Sequence, residues 1–481
     1  MQSGLEEQLG PYQKRIPIVT RSIKGRFRSF KTAVLVFAYS VFFLLPWLPW
    51  SRGDAPSQAV LLDVPARRFL VFGLTAYPQD IIWLALLLFI AAILLFFVTG
   101  LVGRAFCGYF CFQTLWTDFF IWIERKLQGE RPARIRLYRQ PWNIEKILKL
   151  GGTHALWLGA SFATALTFVL YFAYAPDLFL RFFQGEAAVA AYVTVGILTV
   201  TTYAAAGLMR EQICTYVCPY GRFQSVMYEP QTLTVHYDAS RGEGVHGRAV
   251  ARPGLRTLIE RHDQGHGDCV DCGLCVQVCP AGIDIRDGLQ YKCISCGLCV
   301  DACNSIMDSF QFPRGLIRYD AEANLAQPVP AKPRLNWKRL STVGYGLAFS
   351  LMTGYLAYSI ATRSSYDSNV TQIRQPLYVV LSNGDIRNRY QIRLTNKSGH
   401  DITYRIEGVG LPDSALDLGN FRQVNIKTGH SALVQANVRL NPARAAQTSA
   451  FQFQITPLNL KKERHLTTVR FDKPETRQWI P

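Results

Sequence analysis

Up to residue 361 the hydrophobic residues of this chain fall in long blocks, and after it they alternate with polar ones. Five blocks, at 32–49, 81–103, 152–174, 188–208 and 341–361, reach the roughly 20 residues that a helix needs to cross a bilayer. They predict a bundle of five transmembrane helices. Pro46 and Pro49 suit the outer end of the first span better than its middle. That span starts far into the chain and shows no evident small-residue cleavage site, so it reads as retained, not as a removed signal peptide. Beyond residue 361 the segments Y-Q-I-R-L-T-N, D-I-T-Y-R-I-E-G, V-N-I-K-T, A-L-V-Q-A-N-V-R-L and F-Q-F-Q-I-T-P keep a period of two. Turn residues such as Asn383-Gly384 and Ser398-Gly399 separate them. Residues 362–481 are therefore expected to form an all-β immunoglobulin-like sandwich. It carries no cofactor motif, and a docking or purely structural role follows.

Charge sets the orientation. The net charge of +18 would suit a nucleic-acid binder, but the basic residues cluster beside the apolar blocks, which argues against nucleic acid. Residues 1–31 read as a flexible basic tail with Lys14, Arg15, Arg21, Lys24, Arg26, Arg28 and Lys31. Loop 104–151 holds nine Lys and Arg against four acids, loop 50–80 is balanced, and loop 175–187 is slightly acidic. The positive-inside rule then places the N-terminus, loop 104–151 and region 209–340 in the cytoplasm. Five crossings leave 362–481 in the periplasm.

The cysteines carry the chemistry. Eight of the twelve form Cys269-x2-Cys272-x2-Cys275-x3-Cys279-Pro280 and Cys293-x2-Cys296-x2-Cys299-x3-Cys303. This double run is the pattern of an α+β bacterial ferredoxin module, at about 260–310, with two [4Fe–4S] clusters. The fourth cysteine of each run crosses to the other run's cluster. One cluster then takes Cys269, Cys272, Cys275 and Cys303, and the other Cys293, Cys296, Cys299 and Cys279. Zinc sites use separated Cys-x2-Cys pairs, and a disulfide framework does not repeat this spacing. Gly273 and Gly297 stand where a side chain would crowd a cluster and where a positive φ suits the loop. Asn304 replaces the proline that follows the first run, which predicts altered packing near Cys303.

The other four cysteines form Cys107-x3-Cys111 and Cys214-x3-Cys218. Gly100-Leu101 and Tyr109 recur around the second pair as Gly207-Leu208 and Tyr216, at one constant offset. This predicts a parallel repeat of two helical hairpins within 32–208, each ending in a Cys-x3-Cys motif. At i and i+4 the two sulfurs of a pair would share one helix face. Four converging thiols would suit copper(I), zinc or an iron–sulfur centre. Arg104, Arg210 and Arg222 nearby are expected to lower the thiol pKa values. The plainer reading is four small apolar residues at helix ends. A resting disulfide is not expected in a reducing cytoplasm. His154 reads as a helix-end histidine with structural hydrogen bonds, ahead of a quinone or metal contact. Asp118, Asp177 and Glu186 read as solvated, and the aromatic residues 109–122 as interfacial anchors.

G-R-A-F-C-G-Y-F-C-F-Q-T-L-W-T-D (103–118), I-C-T-Y-V-C-P-Y-G-R-F-Q (213–224), the double run and the sandwich together resemble the cytochrome c oxidase accessory protein family CcoG, also called FixG or RdxA. The resemblance spans nearly the whole chain. It implies a bacterial inner-membrane oxidoreductase, a cupric reductase that turns Cu(II) into Cu(I) during biogenesis of the cbb-type haem–copper oxidase. It also implies copper at Cys107, Cys111, Cys214 and Cys218. The implied partners are a copper transporter and chaperones of oxidase assembly, the oxidase subunits and an unidentified cytoplasmic electron donor, with homo-oligomerisation open. The family motif is Cys-x3-Cys-Pro; Cys218-Pro219 follows it and Cys111-Phe112 departs from it. Two other readings stand beside this one, an electron-transfer subunit of a quinol-linked respiratory complex and a non-catalytic assembly scaffold.

Overall fold

The computed structural model describes residues 18–51, 56–327, 333, 335–398, 401–419, 421–458 and 464–474; the side chains of Gln79, Arg222 and Ser225 lie outside the description. The chain divides into two compact units, Met1–Leu48 with Trp83–Gly354, and Pro49–Ile82 with Tyr355–Pro481.

The helices of the first unit begin with α1 (Arg26–Leu44), α2 (Ile81–Val102), α3 (Ala105–Tyr109), α4 (Phe112–Gln128) and α5 (Arg131–Arg139). They continue with α6 (Ile144–Leu170), α7 (Ala175–Gln184), α8 (Val189–Thr202) and α9 (Pro219–Val226). Among the described residues, four helices are long and apolar enough to cross a membrane: α1 extended to Trp47, α2, α6, and α8 extended by π turns to Met209. Pro46 ends the first by tightening its last turn to a 3-10 helix. The α6 and α8 spans pack as a hairpin through Ala165, Leu166 and Val169 against Ala191 and Val195. The fifth expected span is an unbroken helix of 22 residues, Leu340–Ala361. It falls outside those four, because Gly344, Gly346, Gly354 and several Ser, Thr and Tyr residues dilute its apolar content.

Residues 18–31 are not a free tail. Ile23 joins a core with Leu274, Val278 and Leu298. Phe27 stacks on Tyr319 at 5.3 Å, Arg21 N–H donates to the Gln277 carbonyl at 2.8 Å, and Arg28 N–H donates to Asp301 at 2.8 Å. Apolar residues spaced among the basic ones let this strap bury one side while Arg21, Lys24 and Arg26 stay exposed. Lys14 and Arg15 lie outside the described residues.

In the cysteine-rich region, Gly273 (φ 63°) and Gly297 (φ 70°) hold the left-handed turns that open the helices Leu274–Gln277 and Leu298–Ser309. Asn304 lies inside the second helix, where a proline would cost about 3 kcal/mol. Its side chain instead accepts a hydrogen bond from Gly315 N–H at 3.0 Å. Thr234–Tyr237 pairs antiparallel with Ile317–Asp320, tying the chain before the double run to the chain after it.

The second unit is a sandwich of two antiparallel sheets. One has Ile386–Asn396 between Ser431–Leu440 and Tyr366–Gln372, with Leu416–Asp417 at its edge and Val379–Val380 also paired to Ile386–Asn396. The other runs Gln423–Ile426, Ile402–Val409, Ala450–Pro457, His465–Arg470. Alternate residues Ile386, Tyr390 and Ile392 point into a core with Tyr366, Tyr404, Phe451 and Phe453. Loop 50–80 belongs to this unit, which its sequence did not announce. It forms a small sheet, Val60–Asp63, Arg68–Val71, Leu74–Ala76. Beyond that sheet Asp80 binds Arg363 and Lys397, each at 3.1 Å.

Candidate functional site

Two small cavities lie inside the double run. Cys269, Cys272, Cys275 and Cys303 line one. Cys279, Cys293, Cys296 and Cys299 line the other, and Cys275 lies between the two and lines both. The fourth cysteine of each run therefore crosses over. Burial pushes the Cys303 thiol up to about 12, with Cys275 and Cys269 as the next causes. Burial and then Cys296 push Cys279 up to about 12, and burial raises Cys299 well above its ordinary value. Four such sulfurs are costly as thiolates unless a cation sits among them. The all-sulfur donor sets and the Cys-x2-Cys-x2-Cys-x3-Cys spacing fit a polynuclear iron–sulfur group.

Each run has a buried support that its own motif does not reveal. Fully buried Arg261 donates from Nε to Gly267 O (2.8 Å) and from Nη2 to Cys269 O (2.7 Å) and Ala249 O (3.0 Å), fixing the entry to the first run. Tyr109, from α3, donates to Cys296 O at 2.8 Å in the second. Tyr109 is buried, so part of the aromatic stretch 109–122 binds protein and does not serve as a membrane anchor.

The second cysteine constellation differs from the expected pair on one helix face. Cys107 sits in α3, but Cys111 has extended backbone angles and caps the N-terminus of α4. Cys214 sits in a π turn, Ile213–Val217, and Cys218 caps α9 in the same extended conformation. Phe112 and Pro219 both occupy the first helical position, so the missing proline leaves the local geometry unchanged. The repeat extends to the bend before each pair: Gly103 (φ 55°) and Arg210 (φ 46°) stand at equivalent positions.

All four thiols lie within electrostatic reach of one another. The pKa values of Cys107, Cys111 and Cys214 are raised, not lowered, contrary to the expectation from sequence. Burial pushes Cys107 up to about 12 and Cys214 up to about 11, neighbouring sulfurs come next, and Arg104 only partly offsets them. Burial also raises Cys111, against the opposing pull of backbone N–H groups of Thr114 and Gln113. Arg210 is engaged elsewhere, with Glu124, and the Arg222 side chain lies outside the described residues. Cys107 Sγ meets Gln224 Oε1 at 3.3 Å.

The two constellations touch directly. A Cβ on Gly108 would stand 2.7 Å from Ile294 O and 3.0 Å from Cys296 Cα. The first membrane pair thus packs backbone to backbone on the loop that carries Cys293 and Cys296. Buried Arg104 ties the same parts together. Its Nη1 donates to Tyr291 O at 2.6 Å, its Nη2 donates to Gly221 O, and its guanidinium lies 4.8 Å from the Tyr291 ring centre. A cavity of about 50 Å³ runs between them, past Cys214, Arg104, Pro280 and Tyr291. It also reaches Asp118, which is buried and paired with Arg28 at 2.8 Å and Lys31 at 3.7 Å, not solvated. His154 Nδ1 lies 2.9 Å from Tyr203 Oη, a structural bond. Arg104, Gly108 and Tyr109 were not singled out for this role. Their only signal was Gly108 and Tyr109 lying within the first Cys-x3-Cys.

Residues 209–322 match a family model described as a 4Fe-4S dicluster domain, and residues 84–129 one described as a 4Fe-4S binding domain. Residues 356–474 match the IG-like fold at the C-terminus of FixG. Protein RdxB of Cereibacter sphaeroides is 43% identical over 412 residues, 85% of this chain and 85% of its own length. RdxA of the same organism is 42% identical over 400 residues, 82% of each chain. Nitrogen fixation protein FixG of Rhizobium meliloti is 39% identical over 462 residues, 87% of this chain and 85% of its own.

Proposed function

The chain belongs to the FixG/RdxA/RdxB family, and from that premise we propose that it is a membrane-bound iron–sulfur oxidoreductase that reduces Cu(II) to Cu(I) for assembly of a cbb-type haem–copper oxidase. The observation that carries this reading is the packing of Gly108 and Tyr109 on the Ile294–Cys296 loop. Cys269, Cys272, Cys275 and Cys303 would hold one [4Fe–4S] cluster, and Cys279, Cys293, Cys296 and Cys299 a second. Bound there, the clusters would supply one-electron storage and transfer. Cu(II) is the substrate, and each ion takes up one electron to become Cu(I). The sulfurs of Cys107, Cys111, Cys214 and Cys218 favour the softer Cu(I), so reduction and capture reinforce each other. Arg104 places a fixed positive charge between Cys107, Cys214 and Cys293. A copper transporter and chaperones of oxidase assembly would take the product, and a cytoplasmic donor would supply the electrons.

The same reading puts the cysteine-rich region in the cytoplasm and the sandwich in the periplasm, with Leu340–Ala361 as a fifth crossing. Two pairings along α2 support that crossing. Arg339, just before the helix, donates to Gly100 O near the end of α2 at 3.3 Å. Arg363, just after it, binds Asp80 ahead of the start of α2. A reporter fused after residue 361 should be active only in the periplasm, and one near Gly254 only in the cytoplasm.

The activity is tested with anaerobic protein, reduced, freed of excess reductant and given Cu(II) with a Cu(I)-specific chelator. Rapid Cu(I) formation is expected. It should be lost in the variant with all four membrane cysteines changed to serine, with iron content unchanged. Equal Cu(I) formation in that variant would refute the role of these thiols. The 4Fe-4S binding model over residues 84–129 favours a second reading, in which the membrane cysteines ligate iron. Iron well above the about eight atoms of two clusters, falling to eight in the same variant, would select it.

A further inference from the structure

A cavity of about 770 Å³ opens beside α4 and α5, away from the double run. Arg131, Arg134, Arg139 and Arg210 face it, and Trp157 and Leu208 give it an apolar wall. Trp157 comes from the first half of α6 and Leu208 from the end of the span that continues α8. Both belong to the ends of their spans on the side of the membrane cysteines, so the cavity lies where a bilayer surface would meet the protein.

Its charges are unbalanced. Four guanidiniums meet two carboxylates, Glu124 and Glu211, and Glu124 is shared by Arg134 and Arg210. Arg134 is 1% exposed. Its Nη2 meets Glu124, but its Nε and Nη1 are shut off from solvent with no acceptor among the described residues. Gln128, 3% exposed, donates to Thr153 Oγ1 at 2.9 Å, while its Oε1 has no donor. Buried polar groups are seldom left unpaired, least of all charged ones. Arg134 therefore adds an incompletely paired positive charge just behind the cavity wall, while Arg139 and half-buried Arg131 offer accessible guanidiniums beside Leu208.

We propose that this cavity binds the headgroup of an anionic phospholipid of the phosphatidylglycerol type. The phosphate sits at the open side of the cavity against Arg131 and Arg139, with the buried charge of Arg134 behind it, and the acyl chains run along Leu208. Arg210 and Glu211 border this cavity and also the one that reaches Cys214. A bound headgroup therefore braces the bend from which the second cysteine pair departs.

Native mass spectrometry of the full chain in neutral detergent tests the proposal, with phosphatidylglycerol and phosphatidylcholine of matched chains as probes. Phosphatidylglycerol should be retained in preference. Arg139→Gln removes an exposed rim cation and should weaken retention about fivefold, the weight of one basic residue at an anionic surface. Arg134→Gln should abolish the preference. Arg136→Gln, on the same helix but not facing the cavity, should change nothing. If Arg134→Gln fails to fold, the Arg139→Gln result decides. Equal retention of the two lipids, or unchanged retention in Arg139→Gln, would overturn the proposal. Displacement of phosphatidylglycerol by millimolar inorganic phosphate would also overturn it, in favour of a soluble anion.

Discussion

Replacing Gly108 by alanine adds one carbon at the contact between the two cysteine constellations. In α3 itself the change favours the helix by up to about 1 kcal/mol. Across the contact it is hostile. The new Cβ would lie 2.7 Å from Ile294 O, 3.0 Å from Cys296 Cα and 3.2 Å from Cys296 N. Ordinary contact begins at 3.4 Å, so α3 and the loop must part by about 0.7 Å. The clashing atoms are backbone on a loop fixed by its own cysteines and cannot rotate away as a side chain would. Overpacking of this kind costs about 1–3 kcal/mol. Parting also stretches the 2.8 Å bond from Tyr109 to Cys296 O. Gly100→Ala is the matched control, because a Cβ there meets nothing within 4 Å.

The assay compares the two variants by thermal unfolding, iron per chain and Cu(I) formation. Gly108→Ala should lower stability and, if the proposed function holds, loosen iron at the cavity lined by Cys279, Cys293, Cys296 and Cys299 and slow the proposed Cu(I) formation. Gly100→Ala should match the parent or exceed it slightly in stability. The other quartet should be untouched in both, since the atoms a Cβ at Gly108 meets first all belong to the Ile294–Cys296 loop. If Gly108→Ala behaves like Gly100→Ala in all three measurements, the contact does not couple the two centres.

Three other outcomes are expected. Cys303→Ser should remove the cluster of the first run, although Cys303 lies in the second, and drop iron from about eight to about four atoms; loss of the second run's spectroscopic signal would contradict the crossed sets. Arg104→Lys keeps the charge but cannot reach both Tyr291 O and Gly221 O, and a stranded buried carbonyl costs about 1–3 kcal/mol; unchanged thermal stability in detergent would show that the fork is dispensable. Phe27→Ala removes the ring that lies on Gly297 and Tyr319, and for this half-buried site a loss of about 2 kcal/mol should appear as faster proteolysis near residues 18–31; unchanged protection would mean the strap is held by its polar bonds alone.

The two cysteine-lined cavities of the double run were legible because their cysteines lie in two short segments, and the spacing dictates loops that converge without knowledge of the rest. The geometry of the membrane pairs was misjudged, yet a signal was present. Pro219 directly after Cys218 marks the first residue of a helix, so Cys218, and by repetition Cys111, had to be caps and not helix-interior residues. Thiol acidity was misjudged for a different reason. Closeness to Arg104 can be read from numbering, but desolvation depends on what the fold stacks above the sulfurs. Asp118 was assigned to solvent because it follows a span. It is buried in ion pairs with Arg28 and Lys31, which lie about ninety residues earlier in the chain. The strand character of loop 50–80 was hidden because its strands have only three or four residues each.

Arg210 shows how the two repeats depend on each other. Its counterpart Gly103 adopts a positive φ at little cost. Arginine at φ 46° and ψ −114° does so only under strain, of order 1–3 kcal/mol. Something must hold it, and the partners come from outside its own turn as well as within it. Its guanidinium pairs with Glu124 of α4, the helix that follows the first cysteine pair, and lies 5.3 Å from the Trp157 ring centre. Its Nε donates to Gly207 O at 2.9 Å, and its carbonyl accepts from Gln113, two residues past Cys111, at 3.2 Å. The bend that aims Cys214 at Cys107 is thus fixed by the helix that Cys111 caps. Disturbing α4 should therefore move the second cysteine pair as well as the first, and the four thiols behave as one structural element.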